Sequence, residues 1–420
     1  MTVAPDVLVV GGGPAGASTA CALARAGVRV AVLDRARFPR AKPCAEYLSP
    51  QASRVLAAMG VLDALEGSGA AQLAGMVVRA PNGARIRGRF LAGHGFRAYR
   101  DRGLSLPRVT LDATLLDAAR AAGAVVHEGL RVVDLARDGA GRVVGAVALD
   151  DRGARREIGA RVTVGADGLN SVVARRLGVS RRWPWPRRVA LVAHFRGVAG
   201  MTEFGEMHVA RDGYVGMADV GHGLVNVAAV FPRRVARDIA AERGAFLDAW
   251  LARQPELGAR FAGAHRVEPV RAVGPFASHA RRAWAPGALL VGDAADFFDP
   301  FTGEGIYCAL RGGELAAHHA RIALEASSPR DADAALDAYD RARRREFRGK
   351  WTVERVIGAV VAHAPLINRA ARCCEAYPAM GDLLVGVAGD FVPARAVMRP
   401  GFLLTLFLRP LPAARAATPA

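Results

Sequence analysis

Apolar and polar positions change rhythm twice within the first 34 residues. Asp6–Val10 is a short run rich in β-branched residues, the pattern of a strand buried on both faces. From about Ala15 to Ala26 the apolar positions fit a helix, and Val28–Leu33 is apolar again up to Asp34. Strand, helix and strand in so short a span predict the start of a doubly wound parallel sheet. Two later segments repeat the strand-then-turn pattern. Residues 162–168 end in Gly165-Ala166-Asp167-Gly168, and residues 287–293 end in Gly292-Asp293 before "AADFFDPFTGEGIY" and a helical pattern. Residues 103–123 place Arg108 just ahead of an amphipathic helix. Residues 185–275 differ. They read as antiparallel strands with turns at Asp212-Gly213 and Gly221-His222-Gly223. From about Ser327 the pattern is helical, broken at Pro365, Pro378, Pro393 and Pro400. The expected fold is α/β. A discontinuous doubly wound domain spans 1–75, 100–182 and 275–335. A mixed β-sheet substrate region is inserted at 76–99 and 183–274, and a helical extension follows at 336–420.

The turn after the first strand carries the chemistry. Gly11, Gly13 and Gly16 complete G-x-G-x-x-G: one glycine turns the chain, one admits a pyrophosphate, one lets helix and strand approach. The helix offers its amide-rich positive end to the phosphates. Asp34, about 20 residues on, stands where a carboxylate accepts from a ribose diol. This motif alone fits NAD or FAD. The return to a glycine turn at 299–307 favours FAD, whose flavin end must be held far from its adenine end. Asp293 is placed for the ribityl hydroxyls, and the amides around Gly303–Ile306 for the flavin.

These segments resemble the FAD-dependent monooxygenase and reductase superfamily of aromatic hydroxylases, geranylgeranyl reductases and flavin halogenases, over about residues 5–335. "RFPRAKPCAEYLSP" and "DFFDPFTGEGIY" are similar to its geranylgeranyl-reductase-like branch. The resemblance implies that Gly11, Gly13, Ala15 and Gly16 hold the pyrophosphate, that Asp34 binds the ribose, and that Arg35 lies beside the adenine. It puts Cys44 and Ala45 near the ribityl chain or isoalloxazine and Arg108 at the phosphates or ribityl. The strand around Leu130–Val132 would touch adenine through its backbone. Asp167 belongs to a motif linked to FAD and NADPH handling, and Asp293 to the ribityl and pyrophosphate. Gly303, Gly305 and Ile306 would offer amides to the pyrimidine end. Pocket candidates are Glu46, Tyr47, Tyr214, His208 and Phe301, with His194 and His222 also on predicted substrate strands. Glu304, inside the flavin turn, is expected to point away from flavin N1, because a carboxylate there opposes an anionic reduced flavin.

Some residues depart from the family pattern. Tyr214–Asp219 keeps the tyrosine of the reductases' Y-x-W-x-F-P stretch but lacks its Trp, Phe and Pro, and Cys44-Ala45 replaces their C-G pair. "WPWP" at 183–186 does not match the halogenases' W-x-W-x-I-P: Arg187-Arg188 replaces I-P, and the stretch precedes the substrate strands. No lysine is expected near a flavin tunnel, Lys42 being two residues before Cys44 and Lys350 far beyond. The leading expectation is NAD(P)H-dependent hydroxylation of an aromatic or quinol-like, lipophilic substrate through a C4a-hydroperoxyflavin. Reduction of a C=C bond in a lipid or isoprenoid-like substrate comes second, and halogenation third.

Composition adds limits. The 420 residues are 52% hydrophobic, enough for a large core. The net charge of +18 comes almost wholly from Arg, with clusters at 152–156, 181–188 and 341–348. The Arg residues are otherwise scattered along the chain, which argues against nucleic acid. Weak peripheral attraction to an anionic membrane fits better. The apolar "PGFLLTLFLRP" reads either as a helix packed on the body or as an interfacial element. Five irregularly spaced cysteines without CxxC, and no apolar leader, predict a reduced cytoplasmic protein without structural metal.

Overall fold

The computed structural model describes residues 4–185 and 187–411. The elements that position the site are, in chain order, β1 (Val7–Val10), α1 (Pro14–Arg25), β2 (Val30–Asp34), β3 (Gly75–Arg79), β4 (Arg85–Arg89), α2 (Arg108–Ala121), β5 (Val125–Glu128), β6 (Val162–Gly165), β7 (Arg188–Arg196), β8 (Phe204–Val209), β9 (Tyr214–Asp219), β10 (Val225–Pro232), β11 (Ala288–Leu290), α3 (Gly305–Glu325), α4 (Pro329–Val361), α5 (Ala364–Ala376), α6 (Pro378–Ala388) and α7 (Pro400–Phe407).

A parallel sheet of order β11-β6-β1-β2-β5 forms the first layer, with a short antiparallel edge at Trp284–Ala285. Val7 pairs with both Val30 and Val162, so β1 is central. All four of its residues are buried, which is why the run is continuously apolar. Helix α1 starts with Pro14 in its first turn, where the missing amide hydrogen costs nothing. A Cβ on Gly16 would lie 1.8 Å from the Gly11 carbonyl oxygen, so the close approach of turn and helix depends on glycine there.

The second layer is an eight-stranded sheet, running β7-β10-β9-β8-β3-β4 beyond its His265–Arg266 edge. It roofs the carboxyl ends of the parallel strands. Both faces are covered. One packs with α5 and α6 around Phe90, Ile367 and Met380. The other packs with the helices between residues 236 and 261, where Trp250 is fully buried and donates to Asp212 at 3.0 Å.

The carboxy-terminal part is helical. Pro365, Pro378 and Pro400 do not break helices but open them, each in a first turn. Helix α4 is 33 residues long and returns across the parallel layer. No helix among the described residues is long and apolar enough to cross a membrane.

A cavity between the two sheets

One cavity runs from the glycine turn after β1 to the inner face of the roof, and α4 forms its far wall. At its first end, Gly13 faces open space. A Cβ there would meet only the guanidinium nitrogens of Arg40 at 3.6 Å and Arg108 at 4.0 Å. Arg108, in the first turn of α2, donates twice to Asp112, at 2.7 Å each, and Arg40 lies 2.9 Å from the same carboxylate. Asp112 is fully buried. Lys42 lines the cavity as well. Burial first, and Arg108 second, pull its ammonium below the ordinary lysine range. Two guanidiniums and an ammonium around a turn of free amides fit a pyrophosphate. Asp34 accepts from the Gly12 amide at 2.7 Å and the Ala36 amide at 2.8 Å, which fixes its carboxylate at the end of β2. The residues present therefore fit the phosphate and ribose part of an FAD.

At the other end, Pro300–Thr302 makes a tight turn whose carboxy cap is Gly303, at φ +72°. A Cβ on Gly303 would strike the Tyr47 ring at 2.7 Å, so glycine is required for both conformation and space. Helix α3 then starts at Gly305 with its amide end toward the cavity. Asp299 anchors the turn. It accepts from the Phe301 amide at 3.1 Å, the Tyr214 hydroxyl at 2.6 Å and Arg188 at 2.7 Å. Burial, and then Asp299, push the Tyr214 hydroxyl well above its ordinary pKa, so it stays a neutral donor. Phe301 packs edge-on against Tyr214, ring centres 5.0 Å apart.

Two buried charge clusters flank this end. Glu304 places Oε2 3.3 Å from the Lys350 ammonium of α4, and Lys350 also contacts Asp390. Glu354, one turn further along α4, lines the cavity. Burial raises both glutamates; Glu304 adds to the shift of Glu354, and Lys350 opposes both. Across the cavity, Glu46 accepts from the Arg108 amide at 2.7 Å and from Asn226 at 2.9 Å. Its Oε2 lies 2.7 Å from His194 Nε2, and His194 Nδ1 lies 2.6 Å from Glu268.

The structure brings together Gly13, Ala15, Cys44, Ala45, Glu46, Tyr47, Arg108, Tyr214, Asp293, Gly303, Gly305 and Ile306 along this cavity. Arg35 is exposed beside Asp34, and Val132 is buried in the strand Arg131–Arg137. Three expectations change. Asp167 accepts from Ser171 and from the Val172 and Val173 amides, so its carboxylate caps the helix Val172–Arg176 instead of facing the cavity. His208 is on the outer face of β8, paired with Glu206 at 2.8 Å, while its neighbour Met207 faces the cavity. Burial opposes the Glu206 charge, yet His208 and Arg260 hold its pKa at about 2. Both lysines, expected to lie away from the site, reach it: Lys42 directly, Lys350 through Glu304. Trp183, from the stretch set aside as unlike a halogenase motif, lines the cavity and stacks on His279 at 4.4 Å. Sequence reasoning missed Arg40, Asp112, Asn226, Glu268, Asp299 and Glu354 as site residues. Arg40 and Asp299 sat within the motifs quoted above, though neither was singled out.

Comparison with known proteins agrees with this geometry. A family model described as an FAD binding domain matches residues 4–350. Menaquinone reductase of Mycolicibacterium smegmatis is 30% identical over 340 residues, 76% of each chain. Digeranylgeranylglycerophospholipid reductase 1 of Methanopyrus kandleri is 30% identical over 376 residues, 86% of this chain and 92% of that one. The flavin-dependent brominase Bmp2 shares the fold, with a TM-score of 0.81 at 20% identity over 95% of this chain and 98% of its own.

Proposed function

The chain belongs to this FAD-binding family of oxidoreductases, and on that premise we propose that it reduces a C=C bond in an isoprenoid-type lipid, with NAD(P)H as reductant. The observation that carries the reading is the inner face of the roof. Ala190, Val192, Met207, Ala228, Val230 and Phe276 give the cavity an apolar ceiling opposite the Gly303–Ile306 turn. Tyr214, the phenol of that ceiling, already donates to Asp299. A hydrocarbon chain needs no polar partner against such a ceiling, whereas a phenolic hydroxyl facing these apolar side chains would give up its water without gaining a bond from them. The two reductase relatives point the same way. Hydroxylation, the leading expectation from sequence, is therefore placed second.

Bound FAD, once reduced, supplies the hydride. The chain does the rest. Arg40, Lys42 and Arg108 would neutralise its pyrophosphate, Asp34 would accept from its ribose, and the amides at the start of α3 would face its ring. Roof and α4 keep water from the reacting atoms. Burial, and then the nearby Glu304, raise the pKa of the Glu354 carboxyl, which favours a proton there inside the cavity. Leu404 and Leu408 are 55% and 72% exposed around α7, with Arg409 beside them. That arrangement suits peripheral contact with an anionic lipid surface from which a lipid substrate enters.

The test is anaerobic. FAD-loaded, reduced protein is mixed with a menaquinone bearing a four-unit prenyl chain and the lipid analysed by mass spectrometry. A product still heavier by two hydrogens in its prenyl chain after the ring has been reoxidised to the quinone supports the reading. Oxygen-dependent turnover of a phenol to a product heavier by one oxygen, with no alkene reduced, overturns it.

A further inference from the structure

Glu46, His194 and Glu268 lie in a line. Glu46 is 3% exposed and lines the cavity; Glu268 has 21% of its side chain exposed and pairs with Arg271. His194 stands between them on β7, the strand whose inner positions form the ceiling, with contacts of 2.7 and 2.6 Å. A clamp between the Cys44–Tyr47 loop and the roof would need one of these bonds. Here both ring nitrogens face carboxylates, so both carry hydrogens in the charged ring. Burial disfavours the imidazolium, but Glu46 and Glu268 outweigh it and hold its pKa above the ordinary value. The remaining contacts fix the carboxylate of Glu46. The Arg108 amide holds Oε1 and Asn226 holds Oε2, while the Arg108 guanidinium is turned to Asp112. Glu46 itself sits at φ +59°, a left-handed conformation that disfavours a side chain and marks a constrained position.

We propose that Glu46, His194 and Glu268 form a proton relay from solvent to the cavity. His194 Nε2 hands its proton to Glu46 Oε2, and a group in the cavity takes it from there, so Glu46 ends as the carboxylate it began and the ring is left neutral with its hydrogen on Nδ1. That hydrogen shifts to Nε2, and the freed Nδ1 takes a proton through Glu268, which draws one from water. One proton enters for each proton consumed, and no electrons move along the line. The relay rests on the flavin chemistry of the family, and not on which substrate accepts the hydride.

The experiment reads proton movement directly. FAD-loaded protein is photoreduced anaerobically in weakly buffered solution, and proton uptake is followed with an indicator dye. In the parent protein uptake keeps pace with reduction. In His194→Gln it lags by about 100-fold, the scale of a lost positioned proton transfer, while the amount of bound FAD is unchanged. Glu268→Gln, at the solvent end, gives a smaller lag. In His194→Ala, added imidazole restores the rate. Parent-like uptake in His194→Gln, or no rescue by imidazole, overturns the proposal. Should His194→Gln lose its FAD, Glu268→Gln decides alone: parent-like uptake in that variant overturns the relay. Failure of the reductase reading appears elsewhere, as an unreduced prenyl chain in the parent protein, and leaves the proton-uptake result standing.

Discussion

Lys350→Met tests the charge cluster at the start of α3. The substitution keeps most of the side chain, of which 16% is exposed, and removes its ammonium. Glu304 then loses its 3.3 Å partner, and Asp390 and Glu354 lose the ammonium that opposes their burial. Breaking a buried ion pair from one side costs about 3–5 kcal/mol. At about 2 °C per kcal/mol for a large chain, Tm falls by about 6–10 °C at pH 8. The sign of the pH dependence follows from the carboxylates. Burial raises the folded-state pKa of both glutamates above the 4.5 of a free side chain. Their charged forms therefore destabilise the fold above that pH, increasingly until the folded pKa is passed. The deficit of Lys350→Met should be largest at pH 8 and shrink toward pH 5, as the buried carboxyls take up protons in the folded state and no longer need the ammonium. Adding Glu304→Gln should recover part of it. Calorimetry at pH 5, 6.5 and 8 gives the answer. An equal deficit at all three, or none at pH 8, would refute the reasoning.

Three further outcomes follow. Arg108→Met removes one charge-assisted contact to the pyrophosphate, worth about 1.5–3 kcal/mol, so FAD should bind roughly 10- to 150-fold more weakly in a fluorescence titration; an unchanged Kd would take Arg108 out of the phosphate site. Asp167→Ala should cost about 1 kcal/mol of stability by loss of a helix cap and leave FAD affinity as it is; weakened FAD binding with normal stability would restore the cofactor role expected from sequence. Leu404→Asp with Leu408→Asp should reduce cosedimentation with phosphatidylglycerol vesicles while anaerobic turnover in detergent is kept; equal vesicle binding would end the interfacial reading of α7.

The parts of the molecule legible in sequence are those whose signal is local. Gly11, Gly13, Gly16 and Asp34 lie within 24 residues and report a strand, a turn, a helix and a second strand by their spacing. Gly303 lies in a turn whose chemistry is likewise local. The rest depends on register. His194 meets Glu46 across 148 residues, and Lys350 meets Glu304 across 46. His208 was misplaced for a physical reason. The roof is buried on both faces, so its strands lack the polar–apolar alternation that would reveal which parity points inward. A shift of one residue separates Met207, which faces the cavity, from His208, which does not.

Tyr339, Arg343, Phe347, Trp351 and Glu354 recur every three or four residues along α4 and all face the cavity. During synthesis this wall arrives last. The glycine turn, the roof and the Asp299–Gly303 turn have all left the ribosome before it exists. Enclosure of the flavin is therefore a late event in the life of the nascent chain, waiting on about 355 residues. Until then the cradle can gather a nucleotide but has nothing with which to shut it in.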